Sequence, residues 1–270
     1  MKTLILASLL ACGLLANGAA MADDALQAAI AGDQRIPGNV ARDGARHPYQ
    51  TLEFFGIKPT MTVVELSPGN GWYTEILAPY LRDGGKLITA GNDPESANAN
   101  RRAAAGIFQK FLDTHPASFG KVQIGAFEPP VTYSFAPKGT VDMVLTFRNI
   151  HNWIPLGDTR LKQLFGSVYD SLKPGGVLGV VEHRLPAAMP QDAEASTGYL
   201  HEDYVIKLIE SAGFKLVARS EINANPKDNA NHKGGVWALP PTYTNKLEEH
   251  DQYEAIGESD RMTLKFIKPQ

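Results

Sequence analysis

Two short segments hold most of the side chains that could do chemistry. Phe147-Arg148-Asn149-Ile150-His151-Asn152-Trp153 puts a cation, two amides, an imidazole and an indole in one run. Glu182-His183-Arg184 sets a carboxylate beside a second imidazole. Imidazole is the side chain suited to moving a proton near neutral pH. His151 is therefore expected as a base or an orienting group, with His183 as the second candidate base. Arg148 would hold an anionic substrate group or pair internally, and Asn149 or Asn152 would supply hydrogen bonds. The competing structural roles are a helix cap for His151 and a solvated strand end for Glu182-His183-Arg184. The sequence contains no H-E-x-x-H pattern, so no metal site is expected. A grouping of His151, His183 and His201 would depend on folding. Trp72 and Trp153 could pack on a ligand but read first as core.

A different kind of signal runs from Thr62 to Leu77. The β-rich run Thr62-Val63-Val64-Glu65-Leu66 ends in the turn Ser67-Pro68-Gly69-Asn70-Gly71, and an amphipathic stretch follows. A strand, a glycine turn and a helix in this order let a nucleoside-type cofactor lie against main chain. Glycines at 69 and 71 remove Cβ atoms where a ligand would approach and open turn dihedrals closed to other residues. A dinucleotide fingerprint G-x-G-x-x-G needs a third glycine where Thr74 stands, and no G-x-x-x-x-G-K-[ST] occurs. Dinucleotides and a P-loop are both disfavoured.

The elements that must position these groups alternate. Residues 23–60 read as a helical lead-in closing at Gly56. Strands are predicted at 62–66, 86–90, 122–124, 140–147, 177–181, 214–222 and 262–267. Helices are predicted at 72–81, 97–112, 158–172 and 200–212, with Lys173-Pro174-Gly175-Gly176 as a turn before the fifth strand. The near-continuous apolar run at 140–147 suits a strand covered on both faces. Alternation of this kind specifies an α/β, doubly wound, seven-stranded sheet, mostly parallel with an antiparallel last strand. Ligands of such sheets sit beyond the carboxyl ends of the strands. Residues 223–260 are polar and too long for a simple connection, so they are expected as a functional insertion or lid.

The chain has 270 residues, 43% of them hydrophobic and 20% charged, which is a globular composition. Its first residues differ from the rest. Met1-Lys2, an apolar run from Leu4 to Leu15 and Ala20-Met21-Ala22 before Asp23-Asp24 make the pattern of a secretory signal peptide over residues 1–22. The apolar run is too short to span a membrane comfortably. Cys12, the single cysteine, lies inside that segment, so a mature chain would have no disulfide, thiol nucleophile or cysteine metal site. A lipoprotein anchored at Cys12 is the alternative. Removal of residues 1–22 takes away one Lys and leaves 25 basic against 29 acidic residues, a net charge of −4. No basic stripe is present, so neither nucleic acid nor an anionic membrane surface is an expected partner.

From about residue 50 onward the chain resembles class I S-adenosylmethionine (SAM)-dependent methyltransferases. Three blocks carry the likeness: the glycine turn at 65–71, Val141-Asp142-Met143-Val144-Leu145, and Leu172-Lys173-Pro174-Gly175-Gly176-Val177-Leu178. The wording around 68–79, 147–153 and 257–262 resembles a branch of bacterial predicted methyltransferases that often carry signal peptides. The resemblance implies a Rossmann-like fold, SAM as cofactor and methyl transfer to an unidentified small molecule. On the family's acid-x-G-x-G-x-G pattern, Glu65 is the acid, and Ser67, Gly69 and Gly71 take the glycine places. An acid usually ends the second strand and binds ribose. That place holds Gly91, with Asp93 two residues on as substitute or as an ordinary helix-start turn. The acid after the third strand falls near Ala126. An exported leader leaves two other readings: a non-catalytic binding protein that keeps the cleft, and non-methyl chemistry built on His151, His183 and Glu182.

Overall fold

The computed structural model describes residues 24–133 and 135–270. The expected leader, with Cys12, lies outside the described residues. The lead-in forms α1 (residues 24–31), α2 (Pro37–Val40), α3 (Asp43–Arg46) and α4 (Pro48–Phe55). His47 turns α3 into α4 through the left-handed region at φ 43°, and Gly56 ends α4 at φ 80°.

Seven strands follow: β1 (Thr62–Leu66), β2 (Lys86–Gly91), β3 (Gln123–Ala126), β4 (Val141–Phe147), β5 (Leu172–His183), β6 (Lys215–Ser220) and β7 (Arg261–Ile267). Between them run α5 (Thr74–Leu81), α6 (Ala99–Asp113), α7 (Pro116–Phe119), α8 (Ile150–Trp153), α9 (Asp158–Ser171), α10 (Glu202–Glu210) and α11 (His250–Ile256). They form one sheet in the order β3-β2-β1-β4-β5-β7-β6. β7 runs antiparallel to both β5 and β6, and the other neighbouring pairs are parallel. The order reverses between β1 and β4, and this switch point opens a crevice at the strands' carboxyl ends.

The central strands are covered on both faces. One apolar layer gathers Val64, Val144, Leu178 and Leu264 with Leu161, Phe165 and Ile209 of α9 and α10. The other gathers Val63, Met143 and Leu145 with Phe55, Ile76 and Leu77 of α4 and α5. Each aliphatic or aromatic side chain buried this way contributes about 1.5–3 kcal/mol. Most predicted boundaries shift by a residue or two, and two shifts bear on the site. The helix after β1 starts at Thr74 rather than Trp72, because Gly71 to Tyr73 complete the turn. β5 starts at Leu172, which pairs with Val141. The register then jumps to Met143 and Val177, so Lys173-Pro174-Gly175-Gly176 is a bulge within the strand's span.

Residues 223–260 are not a free lid. Asp228 is buried and accepts from Tyr199 Oη at 2.9 Å, His232 Nε2 at 2.7 Å and the Asp260 amide at 2.8 Å. Asn223 Nδ2 donates to Thr51 Oγ1 and Thr263 Oγ1 at 3.0 and 2.9 Å. These bonds hold the insertion over the ends of β5 and β7.

Gly179 marks a close contact between α4 and the sheet. A Cβ there would lie 2.7 Å from Leu145 Cδ2 and 2.8 Å from Phe55 Cγ. Gly179→Ala is expected to destabilise the fold by about 1–3 kcal/mol through overpacking. Urea unfolding of wild type and variant measures this directly.

Candidate functional site

Both central strands at the switch point leave the sheet through a left-handed residue. Ser67 follows β1 at φ 49°, and Arg148 follows β4 at φ 59°. Non-glycine residues rarely hold this conformation, and local hydrogen bonds fix it here. The Ser67 amide donates to Ala90 O at 2.7 Å, and the Arg148 amide to Val181 O at 2.7 Å. Asn149 Nδ2 bridges the two exits by donating to Leu66 O at 3.1 Å and Thr146 Oγ1 at 3.3 Å.

A cavity of about 570 Å³ opens on the β1 side. Its polar floor is Ser67, Gly69, Asn70, Asn92 and Asn149, and Phe108, Phe111 and Trp153 belong to its apolar walls. Gly69 stands at φ 58° with open space where a Cβ would go. Gly71 acts less directly. It does not line the cavity, and its absent Cβ makes room for Phe111, whose Cε1 would lie 2.4 Å away. Glu65 is buried beneath the turn and accepts from Thr74 Oγ1 at 2.6 Å. Burial raises its pKa to about 8, although the Thr74 bond opposes the rise. Glu65 therefore braces the turn from below. Thr74, which breaks the dinucleotide fingerprint, is its partner.

Asp93 does not line this cavity. Its carboxylate accepts from the Glu95 amide at 2.8 Å, as a turn-starting Asp does. Asn92 is the neighbour that faces in. Glu128, beyond β3, accepts from the Asp93 amide, Ser96 Oγ and Arg101 Nη1 at 2.8, 2.8 and 3.2 Å. It fixes the β2–α6 loop from behind.

A second cavity, about 290 Å³, lies on the β4–β5 side and shares Asn152 with the first. His151 and His183 line it together, with ring centroids 5.3 Å apart. Glu182, fully buried, orients the pair. One carboxylate oxygen accepts from the Ile150 and His151 amides at 2.6 and 3.3 Å. The other meets the His151 ring at Nδ1, 2.9 Å away, and accepts from the His183 amide at 2.8 Å. With the proton on Nδ1 facing the carboxylate, Nε2 of His151 is the basic nitrogen. His183 Nδ1 meets Ser259 Oγ at 2.6 Å. Burial, then the nearby His151, hold its pKa well below the ordinary 6.5, so His183 stays neutral.

Glu182 and His183 are thus buried, against the competing reading of a solvated strand end. His201 joins no cluster, because its Nε2 bonds to the Met189 carbonyl. Ligating atoms of His151, Glu182 and His183 lie within 4.8 Å of one another, a closeness the sequence did not predict. Both Glu182 oxygens already serve N–H donors, so a cation there would have to displace them. Trp72 is core, sandwiched between Arg35 and Arg46 with their Cζ atoms 4.9 and 4.6 Å from its ring.

The sequence matches no protein-family model and no curated protein. Solved structures do match. A SAM-dependent methyltransferase from Aquifex aeolicus aligns with TM-score 0.56 at 15% identity, over 84% of this chain and 93% of its own. The [4+2]-cyclase SpnF aligns with TM-score 0.57 at 14% identity, over 93% and 95%. A geranyl diphosphate methyltransferase, solved with GPP and sinefungin, aligns with TM-score 0.54 at 15% identity, over 83% and 78%. The fold is that of the class I SAM-dependent methyltransferases. Within that fold, the larger cavity sits at the carboxyl end of β1 and the His151–Glu182 pair at the ends of β4 and β5.

Glu65 gives this arrangement a pH signature. The unfolded chain ionises Glu65 near 4.5, whereas the folded chain keeps it protonated up to about 8. The folded state holds the extra proton across that window, so stability is full below 4.5 and falls as pH rises to about 8. Glu65→Gln removes the titration. Its stability relative to wild type is expected to rise across the window by up to about 5 kcal/mol. Urea unfolding at several pH values checks this, and a pH-independent difference would refute it.

Proposed function

We propose that the protein is a SAM-dependent methyltransferase acting on a small molecule, with the donor in the larger cavity and the acceptor in the smaller. The observation that carries this reading is the junction at Asn152. A glycine-turn cavity and a histidine-lined cavity meet there, at the switch point of a methyltransferase fold. Fold alone leaves the reaction open. The fitted parts are the open Gly69, the Ser67–Asn70 main chain, Asn92 one residue past the Gly91 that takes the family's acid place, and the oriented imidazole of His151.

SAM, when bound, supplies an electrophilic methyl group on a sulfonium. The protein aligns the acceptor with it, and alignment of this kind contributes about 7–11 kcal/mol. Asn149 and Asn152 supply amides beside the donor cavity. His151 Nε2 takes the acceptor's proton, and Glu182 holds the ring and balances the charge that forms on it. Proton transfer by a positioned base contributes about 10²–10⁴ in rate. His183, kept neutral by its burial, serves as a hydrogen-bonding wall.

Calorimetric titration with SAM and S-adenosylhomocysteine is the first test. Both should bind, and no heat at millimolar ligand would sink the methyltransferase reading. Gly69→Asn keeps a residue that tolerates positive φ but fills the cavity floor, so it should weaken SAM binding by about tenfold or more. His151→Ala should leave SAM affinity unchanged and lower turnover by about 10²–10⁴, scored as S-adenosylhomocysteine release across a panel of small hydroxyl, thiol and amine acceptors.

The leader pattern supports a working location outside the cytosol, in the periplasm or secreted, with anchoring at Cys12 as the alternative. A fusion of residues 1–30 to a reporter active only after export should be active. A reporter kept in the cytosol would overturn the placement.

A further inference from the structure

We infer that the smaller cavity is an oxyanion site, and that the acceptor carries a carboxylate or phosphate beside the group presented to His151. This rests on the acceptor reading of that cavity.

Three guanidinium side chains line it: Arg42 and Arg46 from the lead-in, and Arg148 from the end of β4. Arg261, at the start of β7, is buried behind them. Glu258 is the carboxylate that lines the same cavity. It is bonded to Arg42 Nε at 2.6 Å, Arg46 Nε at 3.3 Å and Arg261 Nη1 at 3.1 Å. Asp260 also acts on Arg261, but Arg184 chelates it at 2.8 and 3.1 Å. Among the described residues, three of these cations therefore share the Glu258 carboxylate, and Arg148 pairs with none.

Two of those cations have unused donors. Arg46 is 3% exposed, and its Nη1 is buried without a hydrogen-bond partner. A buried donor left unpaired costs about 1–3 kcal/mol, more when it is charged. Among the described residues, the Arg148 guanidinium makes no hydrogen bond or ion pair within 4.0 Å, although it faces the cavity beside His151 and Asn152. Burial first, then repulsion from Arg148, pulls Arg46 down to about 8, while burial and then Arg261 pull Arg148 down to about 10. Guanidinium ions resist deprotonation, so these shifts register as charge the protein leaves uncompensated. Burial would raise Glu258, yet Arg46, Arg261 and Arg42 hold it down at about 2. That carboxylate is saturated, and further anionic charge has to come from a ligand. An oxyanion matches the fork of guanidinium donors in geometry as well as sign.

The site also explains its own walls. Trp72 fixes Arg46 by stacking, with Cζ 4.6 Å from the ring. Trp237 and Pro240 of the insertion also line the cavity and provide an apolar surface for the body of the acceptor. Trp237 packs 5.9 Å from the His151 ring.

The experiment is calorimetric titration of the full chain, with S-adenosylhomocysteine present, using benzoate, inorganic phosphate and the neutral isostere benzamide. Benzoate, phosphate or both should bind, and benzamide should bind at least about tenfold more weakly. Which oxyanion binds better distinguishes a carboxylate from a phosphate acceptor. Arg148→Met is the cleanest variant, because that guanidinium holds no other hydrogen bond. It should lower oxyanion affinity about tenfold or more, leave S-adenosylhomocysteine affinity unchanged and not lower the thermal midpoint. Arg46→Met should act in the same direction, with circular dichroism confirming its fold. Equal binding of benzoate and benzamide, no oxyanion binding, or unchanged oxyanion affinity in Arg148→Met would overturn the inference. If S-adenosylhomocysteine fails to bind while oxyanions still do, the donor reading falls and the anion site stands.

Discussion

One buried carboxylate holds the site in place. Glu182 ends β5 with no solvent exposure, and its two oxygens gather the amides of Ile150, His151 and His183 and the His151 ring. Those donors come from two strand ends that sequence separates by about thirty residues. Each amide would otherwise be buried without a partner, at a cost of about 1–3 kcal/mol. The same interaction thus caps α8, joins β4 to β5 beyond the sheet, and sets the tautomer and direction of His151. Catalytic geometry and local stability are here a single set of bonds.

The pattern recurs at larger scale. Glu75 in α5 accepts from Arg35, the Ile36 amide and Asn39, and so binds the lead-in to the first helix after the glycine turn. Glu258 joins the lead-in arginines to β7, and Asp228 holds the insertion. Buried charges add little net stability over apolar packing. Their geometry is specific, however, and they bring the two extra segments against the sheet in one arrangement. That arrangement makes the smaller cavity, which the sheet alone does not enclose. The cost is a surplus of positive charge facing His151, and it gives the acceptor side its chemical character.

Much of the scaffold was legible in the residues. β1 and β4 stand within a residue of their predicted bounds, because continuous apolar runs flanked by turn residues are strong local signals. The reversed last strand was legible too, since β7 follows the insertion without a crossover helix packed on the sheet. The site was legible by place rather than by role. His151, Arg148, Asn152 and His183 were singled out for following strands and do meet in one cavity, and Gly69 lies on the floor of the other. Asp93 was chosen by distance along the chain, and its side chain turns back on its own loop. Glu182 was placed at the site edge with a solvated strand end as the competing role, and Glu75, Glu128, Asp228 and Glu258 were not singled out for any buried role. An acid in sequence reads as surface, and only its distant donors reveal otherwise.

The sequence by itself determined the order of the elements, the turn that opens the larger cavity and the two segments that carry the imidazoles. These are local properties, set by side-chain period, glycine and the residues beyond each strand. Tertiary structure alone decided which charges are paired. Arg42 and Arg46 lie more than a hundred residues from Arg148, and more than two hundred from Glu258, yet all four line one cavity. Whether a guanidinium is satisfied depends on how many carboxylates fold to within reach of it, and no local pattern encodes that count.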